Sequence, residues 1–337
     1  MTHFTPFQQL FITPVLPFQR DGSIDETGYR ALLRRFLTPE YLDAGVAIIA
    51  NPEAGEIYTL DRIERNRVVE ITLEEVAGRT PVLGGVAHVT TAGMVECAKD
   101  AAAAGVDGLF VLPPIGSADI TLSWNADAYP EVILDVLTAI AGEVDLPQVI
   151  HPVGPFSARY GPGFSAAVTR QIIDTVPQVV GWKMTYNYDG YREIARVLRS
   201  AGRPIGIYGA VGKYFHENLA TDTFDGASAG SFNFALERMI EHITAWRKGD
   251  VARATEIWTS GLEALQDYIF SDFGRLHIRY KAATWLRGFI DNPLMRAPIP
   301  APRRKEIEEL TWLLRGAHLT TRPDTELADL VAEFGLK

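Results

Sequence analysis

Short apolar, β-branched-rich runs recur along the chain at residues 11–16, 46–50, 81–86, 108–112, 148–151, 179–184, 204–208 and 226–231. Several are apolar at both parities, the pattern of parallel strands buried on both faces. Their starts lie about 20 to 40 residues apart, the length of one strand–helix unit. Between them the spacing turns helical, at 29–37, 68–76, 94–104 and 233–247. Ser23-Ile24-Asp25-Glu26 and Asp61-Arg62-Ile63-Glu64 have the form of capping boxes ahead of the first two helices. Thr90 and Thr91 precede the third, and Gly105 stands at its stop. Eight strand–helix alternations predict an α/β fold, either a closed (β/α)8 TIM barrel or an open doubly wound sheet. The count of eight, with no glycine-rich dinucleotide loop after the first strand, favours the barrel.

Beyond the eighth helix, periodic runs at 251–270, 276–290, 304–314 and 325–334 surround a proline-rich break at 293–302. They predict a helical region, 249–337, packed on a barrel spanning 1–248; an independent C-terminal domain is the alternative. Hydrophobic residues make up 47% and charged residues 22% of the 337, as expected of a globular protein with a sizeable core. A net charge of −10 argues against nucleic acid or an anionic membrane as partner, but not against a small anion met by local cations. The lone cysteine, Cys97, lies in a helical stretch and excludes an internal disulfide; a packing role is expected. No signal-like segment and no uninterrupted apolar run of about 18 residues is visible, so a cytoplasmic location is expected.

Barrel enzymes carry their chemistry where strands end. The residues to interrogate are therefore the segment after strand two, Ala87-His88, the segment after strand four, His151 and its loop, and residues 183–186. Lys183 stands apart. Only seven of the 32 basic residues are lysines, and Lys183 alone falls within a predicted strand, Val179-Val180-Gly181-Trp182-Lys183-Met184. Desolvation lowers an amine's pKa, and a neutral amine at a barrel mouth is the nucleophile that makes an imine with a carbonyl compound. The other reading of the same position is a lysine reaching out to solvent or paired with a core carboxylate.

Several stretches resemble the dihydrodipicolinate synthase/N-acetylneuraminate lyase family. Residues 11–25, Phe-Ile-Thr-Pro-Val-Leu-Pro-Phe-Gln-Arg-Asp-Gly-Ser-Ile-Asp, are similar to its opening. Asp43-Ala44-Gly45-Val46 and Gly55-Glu56-Ile57-Tyr58-Thr59-Leu60 resemble its second strand and following loop. Ala103-Ala104-Gly105-Val106-Asp107-Gly108 with Pro113-Pro114, and Leu146-Pro147-Gln148-Val149-Ile150, resemble its fourth and fifth units. Val179-Val180-Gly181-Trp182-Lys183 resembles the strand bearing its imine lysine. The similarity runs in order from residue 11 to residue 253, and no single motif carries it. It implies a class I, Schiff-base-forming lyase that joins a 2-oxo acid, usually pyruvate, to Lys183. The protonated imine is then the electron sink, so no metal or organic cofactor is implied, and a homo-oligomer, tetramer or dimer, is.

The resemblance also exposes departures. The loop after strand two, Glu53-Ala54-Gly55-Glu56, is the implied substrate grip, yet Glu53 and Ala54 stand where the family has two hydroxyl residues. An ionised Glu53 facing the site would repel a carboxylate. His151 takes the place of the family's catalytic tyrosine; an imidazole titrating near neutrality serves as acid and base there, and a histidine bonded to backbone is the other reading. Pro155-Phe156-Ser157 stands where an arginine is expected, and Arg159 is near enough to substitute. Ile115-Gly116 replaces a tyrosine pair. Tyr208, Ser228 and Ser231 end the last two strands, where relatives shape the pocket. His88, Lys213 and His216 are weaker candidates. Three readings follow: a lyase making or breaking a carbon–carbon bond, a dehydratase or hydratase-aldolase of a sugar-acid-like 2-oxo acid by the same imine, and a barrel that binds a metabolite without catalysis. A buried lysine without a task costs stability, which weighs against the third.

Overall fold

The strands of the chain are β1 (Leu10–Ile12), β2 (Val46–Ala50), β3 (Val82–Val86), β4 (Gly108–Val111), β5 (Gln148–Ile150), β6 (Val153–Ser157), β7 (Gly161–Gly163), β8 (Val179–Met184), β9 (Gly206–Gly209) and β10 (Gly226–Ala229). A computed structural model describes residues 9–114 and 125–336. Eight of these strands close in the order β1-β10-β9-β8-β5-β4-β3-β2, all neighbours parallel. The predicted barrel is therefore the fold. β6 and β7 form a separate antiparallel hairpin after β5. That hairpin was expected as plain loop, because Val153-Gly154-Pro155-Phe156-Ser157 shows neither alternation nor freedom from proline. The first strand stops at Ile12, short of the expected residue 16, since Pro14 and Pro17 have no N–H for a ladder.

Parity along the strands sorts two layers of core. Phe11, Ala47, Ile49, Leu83, Phe110, Val149 and Tyr208 fill the barrel lumen. Residues of opposite parity, such as Val46, Ile48, Ala227, Trp182 and Met184, face the surrounding helices. On β8 this places Lys183 with Gly181 on the inner face. A side chain at Gly181 would collide with the Tyr208 ring, 2.4 Å from where its Cβ would stand, so the glycine makes room for the tyrosine in the lumen.

The helices around the barrel are α1 (Glu26–Phe36), α2 (Pro39–Asp43), α3 (Arg62–Val76), α4 (Thr91–Ala104), α5 (Glu131–Glu143), α6 (Ala166–Thr175), α7 (Tyr188–Arg199), α8 (Phe215–Ala220) and α9 (Phe232–Arg247). The capping box at Asp61 and Glu64 forms as expected, with Asp61 accepting from the Glu64 N–H at 2.9 Å. The first helix differs. Asp25 caps it, accepting from the Gly28 N–H at 3.0 Å, while Ser23 turns back to Asp21. Gly105 ends α4 at φ 97°, the left-handed conformation glycine adopts freely.

Residues after α9 form α10 (Val251–Ile257), α11 (Glu263–Ile269), α12 (Leu276–Leu286), α13 (Arg304–Gly316) and α14 (Asp324–Glu333). α12 is almost wholly buried and lies against the loop after β2. Its Lys281 is fully buried and donates to the Glu56 carboxylate and, at 2.9 Å, to the Leu294 carbonyl. The second Glu56 oxygen accepts from the Arg296 N–H at 2.9 Å. Arg296 in turn grips Glu64 with both arms, at 2.7 and 2.8 Å. The proline-rich break is thus a strap tying α12 to the second βα loop. Removing one partner of a buried ion pair strands the other charge in a medium that solvates it poorly. Lys281→Met is expected to lower the unfolding free energy by about 3–5 kcal/mol, read from denaturant melts. A loss under about 1 kcal/mol would mean that the Arg296 N–H and water suffice for Glu56.

Candidate active site

A cavity of about 170 Å³ opens at the C-terminal end of the barrel, and Lys183, Glu53 and His151 all line it. Each arrives from a different element. Lys183 comes from the inner face of β8, with its Nζ 5.3 Å from the centre of the Phe110 ring. Glu53 opens a single 3-10 turn, Glu53–Gly55, directly after β2. His151 follows the last residue of β5 and still donates its backbone N–H to Val111 at 2.9 Å, so the strand holds it in place. Thr185, two residues beyond Lys183 and therefore on the same side of the chain, lines the cavity as well.

These side chains form a connected set. The His151 Nδ1 stands 2.8 Å from a Glu53 carboxylate oxygen, and Nε2 lies 3.1 Å from the Thr185 hydroxyl. The Nδ1 contact has the distance of an ion pair without hydrogen-bond alignment; a proton on Nδ1 would face the carboxylate and leave Nε2 to accept from Thr185. Tyr58 donates to the other Glu53 oxygen at 3.3 Å. Burial would raise the Glu53 carboxyl, but the adjacent His151 and then Lys183 outweigh it and hold the group down, ionised, at about 2. Burial acts the other way on the imidazole: it pulls His151 well below its ordinary value, with Lys183 adding to the effect and Glu53 opposing it. The expectation of a histidine titrating near neutrality is corrected accordingly, because a desolvated imidazole resists its own charge. Burial likewise lowers the Lys183 amine to about 8, with Glu53 pulling it partly back.

The roof is α12. His277 and Tyr280 line the cavity from it, one helical turn apart, and Lys281 on the same face anchors the helix. Tyr280 sits over Gly230, where any side chain would strike its ring. Burial lowers His277 too. Sequence reasoning did not single out Thr185, His277 or Tyr280. The signal for Thr185 was its parity with Lys183; for the α12 pair it was an i, i+3 face on a helix whose docking side no local pattern reveals.

The other candidates divide. Ala54 and Ser228 line the cavity, and the Ser228 hydroxyl is buried without a hydrogen-bond partner among the described residues. Gly55 packs its backbone against Pro14 and Pro52 instead. Glu56 does not line the cavity but is held in the Lys281 pair. Arg159 is not brought in: the hairpin turn carries it outward, 69% exposed, to pair with Glu193 at 2.9 Å. Tyr208 lies in the lumen below Lys183, where its phenol is pushed up by burial. Ser231 donates to Gln266 of α11 at 2.7 Å. His88 bonds Thr90 at the start of α4, Lys213 lies over the Tyr214 ring, and His216 pairs with His242 behind the barrel wall. Ile115 and Gly116 lie outside the described residues. No group of three or more His, Cys, Asp or Glu fit to hold a metal occurs among the described residues.

A depressed lysine and an ionised neighbour have a measurable signature. The pH midpoint for acylation of Lys183, followed by mass spectrometry of its peptide, is expected at about 8, against about 10.4 for an ordinary lysine. Glu53→Gln removes the anion that favours the ammonium form, so the midpoint should fall further. A midpoint near 10, or a rise in Glu53→Gln, contradicts this electrostatic picture.

The profile of the Dihydrodipicolinate synthetase family matches residues 6–316. The chain is 28% identical over 285 residues to the 4-hydroxy-tetrahydrodipicolinate synthase of Acidiphilium cryptum, covering 84% of this chain and 89% of that protein. It is 25% identical over 268 residues to the putative 2-dehydro-3-deoxy-D-gluconate aldolase YagE of Escherichia coli, covering 77% and 83%. Among solved structures, YagE of Escherichia coli in complex with pyruvate superposes with a TM-score of 0.77 at 22% identity, covering 93% of this chain and 99% of that one. A monomeric dihydrodipicolinate synthase variant superposes at 0.79 with 24% identity, covering 94% and 98%, and so shares the fold.

Proposed function

The chain belongs to the dihydrodipicolinate synthetase family, and from that premise we propose that it is a lyase that binds a small carbonyl compound to Lys183 as an imine. The observation that carries the reading is the Lys183 amine itself, inside the cavity and lowered to about 8 by burial. At pH 7 about a tenth of such an amine is neutral, whereas an ordinary lysine is neutral in less than about one part in a thousand. The gain in nucleophile is more than a hundredfold before orientation is counted.

The steps follow from the groups present. The neutral nitrogen gives its pair to the carbonyl carbon while the C=O π pair moves onto oxygen. A proton passes from nitrogen to that oxygen, and with one further proton the oxygen leaves as water. The iminium that remains draws electrons from the neighbouring carbon. In the cleavage direction a base takes the proton of a hydroxyl on the next carbon, the carbon–carbon bond breaks, and its pair enters the enamine as the second carbonyl compound departs. Protonation of the enamine and attack by water then free the product and the lysine.

His151 is the base, and its proton travels through the Thr185 hydroxyl bonded to Nε2. Glu53 keeps the Nδ1 proton in place and stabilises the imidazolium that forms, the division of labour of an acid–histidine–hydroxyl triad. A metal or organic cofactor has no step to perform in this scheme.

Borohydride treatment with a panel of 2-oxo acids, ketones and aldehydes is expected to add a reduced adduct to the Lys183 peptide, and Lys183→Arg should abolish it with the fold intact. An adduct on Lys213 instead would move the nucleophile away from Lys183, and none with any member of the panel leaves a barrel that binds without imine chemistry. His151→Phe should slow turnover by about 10²- to 10⁴-fold while trapping persists. Because burial keeps the imidazole neutral through the physiological range, the acid limb of the turnover profile belongs near pH 4, where His151 takes up its proton. A limb near pH 6.5 that vanishes in His151→Phe would show the histidine to be solvated in the working enzyme.

A further inference from the structure

The cavity's charges restrict what can enter it. Among the described residues that line it, Glu53 and Lys183 are the only side chains carrying charge near neutral pH, and the two offset each other. His151 and His277 are both pushed toward the neutral form by burial. Among the described residues no guanidinium lines the site, and Arg159 is held outside by Glu193. Most of the rest is apolar, with Val153 and Pro162 from the hairpin and Phe270, Phe273 and Leu276 from the helical roof.

When Lys183 becomes an iminium its positive charge stays, and the Glu53 carboxylate remains to balance it. A substrate with a carboxylate beside its carbonyl would bring a second anion next to Glu53, and the charged groups lining the cavity would leave one negative charge uncompensated. Such a charge is costly in a medium that solvates ions poorly. An uncharged carbonyl compound leaves the count at zero. The polar contact still on offer is also uncharged: the Ser228 hydroxyl lines the cavity, fully buried, without a hydrogen-bond partner among the described residues. A hydroxyl of that kind suits a neutral oxygen or amide of the substrate, by donating or accepting a single hydrogen bond.

We propose that Glu53 is the built-in counter-ion of the Lys183 iminium and that the substrate is an aldehyde or ketone with no carboxylate next to its carbonyl. The inference rests on the imine reading above and specifies which carbonyl compounds that imine accepts. The two ends of the site then have separate tasks. Glu53, with His151 and Thr185, supplies charge balance and proton transfer at the reacting carbon. The apolar roof receives an uncharged substituent.

The test compares two molecules of nearly the same shape and carbonyl activation, pyruvate and its neutral amide, pyruvamide. The rate of borohydride-dependent adduct formation at Lys183 is followed by intact mass for each, at equal concentration and pH 7. The wild-type protein is expected to favour pyruvamide by about tenfold or more. In Glu53→Gln that ratio should collapse toward unity, because removing the anion removes the penalty on pyruvate. Glu53→Thr provides the same comparison with a smaller side chain, and either variant cancels the intrinsic reactivity of the two ketones. Wild-type protein that traps pyruvate as fast as pyruvamide, or faster, overturns the proposal while leaving the imine reading standing. A wild-type preference that persists unchanged in both variants also overturns it, since the discrimination would then come from elsewhere. No adduct with either compound or with simple aldehydes removes the imine reading, and this inference with it.

Discussion

The buried pair of Glu56 and Lys281 governs how the top of this barrel is built. A carboxylate and an ammonium, both removed from water, hold each other in place, with Arg296 close beside them. Glu56 belongs to the loop after β2 and adopts the left-handed conformation at φ 58°, unfavourable for a side chain with a Cβ, so its position is held by the bonds it makes. Lys281 belongs to α12, a helix more than two hundred residues later. Joining them fixes the roof to the second βα loop. Three residues before Glu56 stands Glu53, and one turn before Lys281 stands His277. The pair beside the cavity therefore sets the spacing of the groups that face each other within it.

Within the cavity, burial acts on three neighbouring groups and disfavours the charged form of each. It favours the neutral amine at Lys183 and the neutral imidazole at His151, and it would favour a neutral acid at Glu53 as well. Glu53 escapes because three groups able to carry positive charge, His151, Lys183 and His277, act on it. The outcome is one fixed anion, one amine poised near physiological pH and one base free to accept a proton. That distribution is what imine chemistry requires: a nucleophile available without strong alkali, and a proton acceptor whose charged form is stabilised only as the reaction proceeds.

The match over residues 6–316 places the chain in its family, and the closed parallel barrel carries Lys183 on its sixth barrel strand. A carboxylate and a histidine in contact occupy the segments after β2 and β5, and a helical roof supplies the opposing wall. The fold is shared with a dihydrodipicolinate synthase variant and with YagE, and the sequence is similar to proteins named for different reactions, among them a synthase and an aldolase. Reaction class follows from the strand that carries the nitrogen; selectivity follows from the loops and helices that close over it.

Much of this was already legible in the chain. Runs buried on both faces can only be interior parallel strands, and eight of them at regular spacing close into a barrel because open edges would leave backbone groups unpaired. A lysine within such a run must point inward or outward by parity alone. Those conclusions depend on local pattern, and they hold. The site depends on contacts between distant segments, which local pattern does not encode. Glu53 and His151 were each conspicuous, but only the closed barrel brings the strand ends bearing them to 2.8 Å and so turns an apparent repulsive group into the partner of a base. Arg159 looked near enough in sequence, yet the hairpin it sits on, formed by β6 and β7, directs it to solvent. Lys281 looked like an ordinary helical lysine, and the docking of α12 made it a buried charge. Periodicity along one segment determines which face of an element is apolar; which other element meets that face, and with what charge, is decided only when the chain has closed on itself.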